Sequence, residues 1–445
     1  MSTSNQTLDK ANSSPKDFQL IERVVERENM RLAYSRVMRN KGAAGIDKMQ
    51  VGDLKPYLKK SWPLLKEELL NGRYKPKPVK RVEIPKAGGG TRQLGVPTVV
   101  DRLIQQAIHQ VLMPIFDPEF SDNSYGFRPG KSAHQAIKKA KQFLLEGKRW
   151  VVDVDLAQFF DEVNHDMLMS RVARRVGDKR LLHLVRRYLR SGVMDNGVVY
   201  SRDKGTMQGG PLSPLLSNIL LDDFDKELEK RGHSFCRYAD DSNVYLASRR
   251  SAERVMASIT SFLEEKMKLR VNRAKSAVAR CHKRKFLGYS FTAHKKPRIR
   301  VPQETLKRLR KRLLRQFRMG KGQNLATFIQ EYLNPILRGW INYFSLAEVK
   351  SFAEELDQWI RRRLRLIMWR QWKRPWTRRT RLIALGLPEI TAVKVAFSGR
   401  GPWHSSRGYI HIVTRKSYFD RIGLVSLLDE LQRIRMVNSG NRLGT

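Results

Sequence analysis

The stretch Phe235-Cys-Arg-Tyr-Ala-Asp-Asp-Ser-Asn-Val-Tyr-Leu-Ala247 constrains this chain more than any other. Two short runs rich in aromatic and β-branched residues, Phe235 to Tyr238 and Asn243 to Leu246, are broken by Ala239-Asp240-Asp241. That pattern predicts a hairpin whose turn carries two adjacent carboxylates. Like charges side by side repel, so the fold gains nothing from them unless a cation sits there. Mg²⁺ suits the place: it is hard, takes oxygen ligands, and is usually held by one or two carboxylates plus substrate phosphates. Taken alone, the dipeptide reads more simply as a solvated turn, because Asp is a common turn former. The rest of the sequence reverses that preference.

Charge is the second constraint. The chain has 445 residues, 41% of them apolar, which is enough for roughly two to four folded domains. Its 87 Lys and Arg against 43 Asp and Glu leave a formal charge of +44. A compact fold holds such an excess against its own repulsion, so a polyanionic partner is expected, nucleic acid before a membrane surface. No apolar run reaches spanning length and the first thirty residues carry no signal-peptide pattern, so no membrane partner is expected. Cys236 and Cys281 form neither a CxxC pair nor a zinc spacing. They read as buried or inert thiols of a reducing, cytoplasmic compartment.

In chain order, residues 1–18 are polar and read as a disordered tail. Residues 19–75 read as a helical extension, with helices over 18–40 and 51–70 around the loop Gly42-Ala-Ala-Gly45. Lys77 to Gly95 predicts a hairpin whose glycine tip, 87–90, is flanked by Lys86 and Arg92, two cations able to reach a triphosphate. An amphipathic helix follows over 99–116, in which His109 has no sequence partner and reads as structural. Tyr125-Gly-Phe-Arg-Pro-Gly130 is a turn, and Ser132 caps a basic helix running to Glu146. Arg149 to Leu156 predicts a buried strand; Asp153 and Asp155 share one of its faces, and Asp155, at the end, is the better placed for chemistry. Asn164 caps a helix through Val176. In Gly205-Thr-Met-Gln-Gly-Gly-Pro-Leu-Ser-Pro-Leu216, two glycines remove side chains where another backbone must pass, and Ser213 is expected to cap a helix to Lys230. Two helices on one face of an antiparallel sheet would bring Asp155 beside the hairpin turn. Three carboxylates so placed can hold two metal ions about 3.5–4 Å apart for in-line nucleotidyl transfer.

Leu269 to Ser276 and Lys285 to Phe291 read as strands closing that domain over 76–300. The character changes at Val301-Pro302: a helical domain over 301–374 is followed by a basic one over 375–445. A helix over 352–373 mixes Trp359, Trp369 and Trp372 with Arg361, Arg362, Arg363 and Arg365. The tryptophans read as core and the arginine face as binding RNA or DNA.

These motifs together resemble the reverse transcriptase/maturase proteins encoded by bacterial group II introns, in the shorter kind that lacks an endonuclease domain and accompanies class IIC introns. The resemblance is carried by Tyr238-Ala-Asp-Asp241, Gln208-Gly-Gly-Pro211, Asp155 with Phe159-Phe160-Asp161, Gly88 to Gly95, Tyr125-Gly-Phe-Arg-Pro129 and Gly339-Trp-Ile-Asn-Tyr-Phe344, in the family's order. It implies an α+β right-hand polymerase: fingers and a palm whose antiparallel sheet packs on helices, then a helical thumb and a basic C-terminal domain. It makes Asp155, Asp240 and Asp241 the ligands of two Mg²⁺ ions. It places Phe160 under the incoming sugar, Lys86 and Arg92 on the triphosphate, and Gln208 and the Pro211 loop near the nucleotide. The implied partners are the intron RNA, a DNA target or primer, and dNTPs. Met207 stands where this family usually has proline, and the cysteine and histidine cluster of an HNH endonuclease is absent. A primer from elsewhere, such as a replication fork, is therefore expected. An RNA-splicing cofactor with an idle polymerase site and a free-standing host reverse transcriptase in DNA repair or phage defence are the alternatives.

Overall fold

The computed structural model describes residues 19–85, 90–195, 198–200, 203–206, 208–399 and 401–440. They divide into two compact units, ending and beginning at Arg280 and Cys281.

In the first unit, a four-stranded antiparallel sheet carries the predicted hairpin. Its order is β6-β7-β3-β8, with β3 Trp150–Val154, β6 Ser234–Tyr238, β7 Asp241–Leu246 and β8 Ala277–Arg280. The alternation of side chains decides its faces. Phe235, Val244, Val152 and Val154 enter one core with the helices Ser213–Lys230 and Arg249–Ser261, and His165–Val172 adds Leu168 and Val172 to it. From β6 and β7, Cys236 and Tyr245 instead meet the helix Ala133–Leu145, Cys236 Sγ lying 3.6 Å from the Ala136 carbonyl and the Tyr245 ring 5.6 Å from Phe143. A second sheet, of order β2-β1-β4-β5, is made of β1 Val79–Pro85, β2 Thr91–Val96, β4 Val193–Asp195 and β5 Val198–Tyr200. Ser132 and Asn164 cap their helices as expected, accepting from Gln135 N (3.3 Å) and Met167 N (2.9 Å). Ser213 does not: it is the first helical residue, and no side chain caps that end. The predicted polar tail 1–18 lies outside the described residues.

The strand expected over 269–276 is instead a single bridge, Val271 to Leu156, leading into a turn, and pairing with β3 begins only at Ala277. Ser290–Phe291 (β9) pairs with Ile299–Arg300 (β10), and the Tyr289 ring packs on Phe344 at 5.1 Å, so this segment belongs to the second unit. The remainder of that unit is helical, with its longest element at Ser351–Gln371. Trp369 of that helix shares a core with Leu382, Leu387, Ala392 and Ile410, so packing runs across residue 375. Asp357 accepts from Leu427 N (2.9 Å) and Leu428 N (3.1 Å), capping the helix Leu427–Gly440.

One buried ion pair fixes the hairpin. Arg237 and Asp225 both have side chains 0% exposed, and Arg237 Nε donates to the Asp225 carboxylate at 2.8 and 2.9 Å. Arg237 Nη1 also donates to the Ala239 carbonyl (2.9 Å) and to Asn218 Oδ1 (3.0 Å). Removing one partner of such a pair strands the other charge without water. Asp225→Ala should therefore destabilise the first unit by about 3–5 kcal/mol. Amide exchange of β6 and β7 under urea measures this, and unchanged protection would mean that the pair does not hold the sheet.

Candidate active site

Tyr238 pairs with Asp241, so the hairpin loop is only Ala239-Asp240. Ala239 sits at φ +58°, a conformation that costs a non-glycine residue about 1–2 kcal/mol. Three contacts keep it there. Arg237 holds its carbonyl; Gly126 passes beneath, where any Cβ would collide with the Ala239 nitrogen; and Asn218 Nδ2 anchors the Gly126 carbonyl at 2.9 Å. The Tyr125-Gly-Phe-Arg turn is thus the floor of the hairpin.

Asp155 arrives from the neighbouring strand. Val154 pairs with Ser242, so the next residue of the ladder faces Asp241, where cross-strand Cβ atoms lie roughly 5 Å apart. Its backbone is clamped from the segment after the second core helix: the Asp155 N–H donates to Ser276 Oγ (3.0 Å) and its carbonyl accepts from Asn272 N (2.8 Å). Lys275 Nζ lies 3.7 Å from Asp155 Oδ1. Asp153, on the same face, takes a hydrogen bond from the Asn243 amide, oriented toward it at 3.1 Å.

The electrostatics follow. Loss of water pushes the Asp240 carboxyl up, with repulsion from Asp155 adding to it, while Arg92 and Arg237 oppose. Loss of water, then Asp240, Asp153 and Asp155, push Asp241 up to about 6; Lys275 pulls the other way. Among the described residues no three His, Cys, Asp or Glu side chains form a metal cage by themselves. A Mg²⁺ site of the kind expected here draws only one or two ligands from carboxylates and the rest from water and phosphates. Hard oxygens of neighbouring carboxylates, crowded enough to help raise Asp240 and Asp241, are the donor set such a cation would take.

Asp155, Asp240, Asp241, Arg92, Gln208 and Phe160 line one cavity of about 1000 Å³. Gln208 is placed by its backbone: its carbonyl accepts from Gly95 N (2.9 Å), and Gly209, at φ +124°, would put a Cβ 2.6 Å from the Gly95 carbonyl oxygen. The expected close passage of two backbones is therefore that of the glycine loop over β2. The same loop grips the Phe160 turn, since Thr206 N donates to the Phe160 carbonyl at 2.6 Å and Gly205 N to that of Val163 at 2.7 Å. Phe160 stands edge-on to buried Phe159, their centroids 5.3 Å apart. Pro211 is not among the lining residues, and Lys86 and Met207 lie outside the described residues.

Sequence reasoning missed Arg270, Arg273 and Lys275, which give the cavity a cationic wall. The spacing of cations in Arg270-Val-Asn-Arg-Ala-Lys275 was the available signal, hidden by reading the segment as a strand. It placed Arg365 wrongly on a binding face. That side chain is buried, with Nε on Thr414 Oγ1 (3.0 Å) and Nη2 on the Thr414 carbonyl (2.8 Å). Arg362 lies over the Trp403 ring at 3.4 Å and Arg363 at 5.0 Å from it, whereas Arg361 makes no hydrogen bond or ion pair among the described residues. His109 is half-buried with Nδ1 unpartnered, and both cysteines are buried and neither is in a disulfide.

An acidic hairpin turn, a third carboxylate on the next strand and cations around one cavity are the palm of a template-directed polymerase. The sequence profile of reverse transcriptase (RNA-dependent DNA polymerase) matches residues 84–291, and that of the group II intron maturase-specific domain matches 306–384. Protein YkfC of Escherichia coli is 34% identical over 296 residues, covering 58% of this chain and 77% of YkfC. The chain belongs to the family of group II intron reverse transcriptase/maturases. The group II intron-encoded protein LtrA of Lactococcus lactis is 37% identical over 44% of this chain and 32% of its own length. A COX1/OXI3 intron 2 protein of Saccharomyces cerevisiae is 32% identical over 54% and 28%. The matched stretch thus spans most of YkfC but about a third of the other two. No helix among the described residues is long and apolar enough to cross a membrane.

The raised Asp241 carboxyl has a definite sign. Its proton is held up to about pH 6 instead of the usual 3.8, so ionising it costs the fold stability as pH rises between those values. A cation needs the ionised form. Mn²⁺ affinity, read by electron paramagnetic resonance, should hence fall by roughly tenfold per pH unit below about 6. A flat profile from pH 5 to 7 would exclude Asp241 as a ligand.

Proposed function

We propose that this protein copies RNA into DNA at the Asp155, Asp240 and Asp241 cavity and binds a group II intron RNA as a maturase. It would thereby promote splicing, and retrohoming by target-primed cDNA synthesis. The observation carrying this reading is the meeting of three carboxylates from separate parts of the chain on one cavity that Arg92 and Phe160 also line. Asp155, Asp240 and Asp241 would hold two Mg²⁺ ions, which when bound lower the pKa of a primer 3′-hydroxyl and neutralise a triphosphate. Arg92, exposed and lining the cavity, reaches the phosphates of a dNTP, and Lys86 would join it there. Phe160 presents a flat wall where the sugar lies and leaves no room for a 2′-hydroxyl. Gln208 fixes the approach of the nucleotide from the glycine loop. Lys275, 3.7 Å from Asp155, restrains that carboxylate until a phosphate draws the ammonium away.

Asp240→Ala should lower primer extension on an RNA template by about 10²–10³-fold or more, with RNA affinity within a factor of two or so. Extension at the wild-type rate ends the polymerase assignment. Splicing of the intron at near-physiological Mg²⁺ by the same variant tests whether RNA binding resides elsewhere in the chain, as the maturase-domain match over 306–384 supports.

Within the second unit, the arginines divide into two kinds. Replacing Arg361, half-buried and without a hydrogen bond or ion pair among the described residues, by Ala should lower the slope of log K against log salt by about 0.7–0.9, one phosphate contact. Arg365→Ala should leave that slope alone and instead cost about 1.5–3 kcal/mol of stability, through the lost bonds to Thr414. Thermal unfolding and filter binding of both variants make the comparison.

A further inference from the structure

The cavity wall formed by Phe160 stands on a single helical turn, Phe159–Glu162. One turn has few hydrogen bonds of its own and forms poorly without outside support. This one is also entered through Gln158 at φ +48°, a conformation unfavourable to a residue that carries a side chain. Its position is therefore set by its neighbours. On one flank is the segment leading into the glycine loop. There Thr206 N donates to the Phe160 carbonyl and Gly205 N to that of Val163, and a Cβ at Gly205 would lie 2.9 and 3.0 Å from the Asp161 and Phe160 carbonyl oxygens. On the other flank is the segment that clamps Asp155: Ala157 N donates to the Arg270 carbonyl at 2.8 Å, and Leu156 bridges Val271.

Glu162, the last residue of the turn, ties both flanks with one side chain. Its Oε2 accepts from Lys204 Nζ at 2.9 Å and its Oε1 from Arg270 Nη2. Lys204 precedes Gly205 and bridges Asn164, while Arg270 is the residue whose carbonyl takes Ala157. Each ion pair thus doubles a backbone contact of the turn. The Lys204 hydrogen bond, and with it that of Arg270, outweighs loss of water and holds the Glu162 carboxyl below its ordinary value. Its side chain is 15% exposed, but those of Lys204 and Arg270 are 63% and 65% exposed. Pairs with cations so open to water add little stability. What this carboxylate supplies is a fixed spacing between the two flanks. Arg270 lines the catalytic cavity; Glu162 and Lys204 are not among its lining residues.

We infer that Glu162 is a positioning residue for sugar selection: by bridging Lys204 and Arg270 it sets how far Phe160 stands into the cavity, and so how firmly a ribonucleotide's 2′-hydroxyl is refused. The inference rests on the reading of Phe160 as the wall beside the sugar. A wall that discriminates by one hydroxyl works only if it is held to about 0.5 Å. Without the carboxylate the turn keeps its backbone hydrogen bonds, but Lys204 and Arg270 lose their common partner and the flanks are free to separate. Phe160 then yields to the hydroxyl while the metal-binding carboxylates stay where they are.

Single-nucleotide primer extension by the full chain on an RNA template, with dCTP and with CTP, tests this. The ratio of kcat/KM for dCTP over CTP should fall by about tenfold in Glu162→Ala, through a gain with CTP, while kcat for dCTP stays within about threefold of wild type. Lys204→Ala should move the ratio the same way, and Glu162→Gln, whose amide oxygen can keep one cation, should move it less. In a Phe160→Ala background, Glu162→Ala should leave the ratio where it is, since both residues act through one wall. Equal losses with both nucleotides, an unmoved ratio, or a full further shift in the Phe160→Ala background overturns the inference. Should Glu162→Ala misfold, as thermal unfolding would show, Glu162→Gln and Lys204→Ala carry the same comparison. A wild type that extends with neither nucleotide defeats instead the polymerase reading on which the inference rests.

Discussion

The catalytic geometry depends on the guanidinium of Arg237. From inside the palm it clasps Asp225 and reaches both Asn218 and the Ala239 carbonyl, so one planar group ties the sheet, a core helix and the acidic turn together. A buried ion pair of this kind adds little net stability over well-packed apolar residues. Its value is geometric: five donors in a fixed fork leave the turn one orientation. A hydrophobic residue at 237 could fill the space but could not hold a carbonyl in place. The turn itself resists its position, since Ala239 lies at positive φ. The loop that must repel a second carboxylate is therefore held by groups outside it.

Close approaches of backbone complete the frame. Gly126 under the turn and Gly209 over β2 stand where any side chain would displace the strand opposite. They join segments far apart in sequence, residues 126 with 239 and 209 with 95, so that loops rather than large apolar surfaces set the walls of the cavity. Loops anchored in this way combine access to solvent with the positional precision a reacting group needs.

What could be read from the residues alone was local. Period-two runs around Asp240-Asp241, the strand before Asp155 and the Ser132 and Asn164 caps each carry their signal within a few positions. What failed depended on partners distant in sequence. Asp155 is fixed by Asn272 and Ser276, in a segment whose alternation imitates a strand. Arg365 belongs to an arginine run indistinguishable from a solvated face until Thr414 folds back on it. Ser213 looked like a cap because Ser-Pro commonly opens a helix, yet the helix there begins at the serine itself. The divided units had a compositional trace at Val301, but packing breaks earlier, where β8 leaves the sheet and Tyr289 joins Phe344.

The charge distribution closes the argument. A chain with a formal +44 attracts phosphates almost anywhere, so attraction cannot choose where the chemistry happens. Within the cavity, the patch formed by Asp155, Asp240 and Asp241 is a local exception, where acidic groups repel a bare phosphate that Arg92, Arg270, Arg273 and Lys275 attract. Divalent cations held by these carboxylates would reverse that sign. A polyanion drawn to the protein as a whole would then enter the reacting centre most easily in company with a metal ion. The raised proton affinities of Asp240 and Asp241, set by loss of water first and by neighbouring carboxylates second, show the same repulsion from the protein's side. Cation affinity, pH sensitivity and a preference for a metal-bound triphosphate would then be three consequences of placing carboxylates together inside a basic protein.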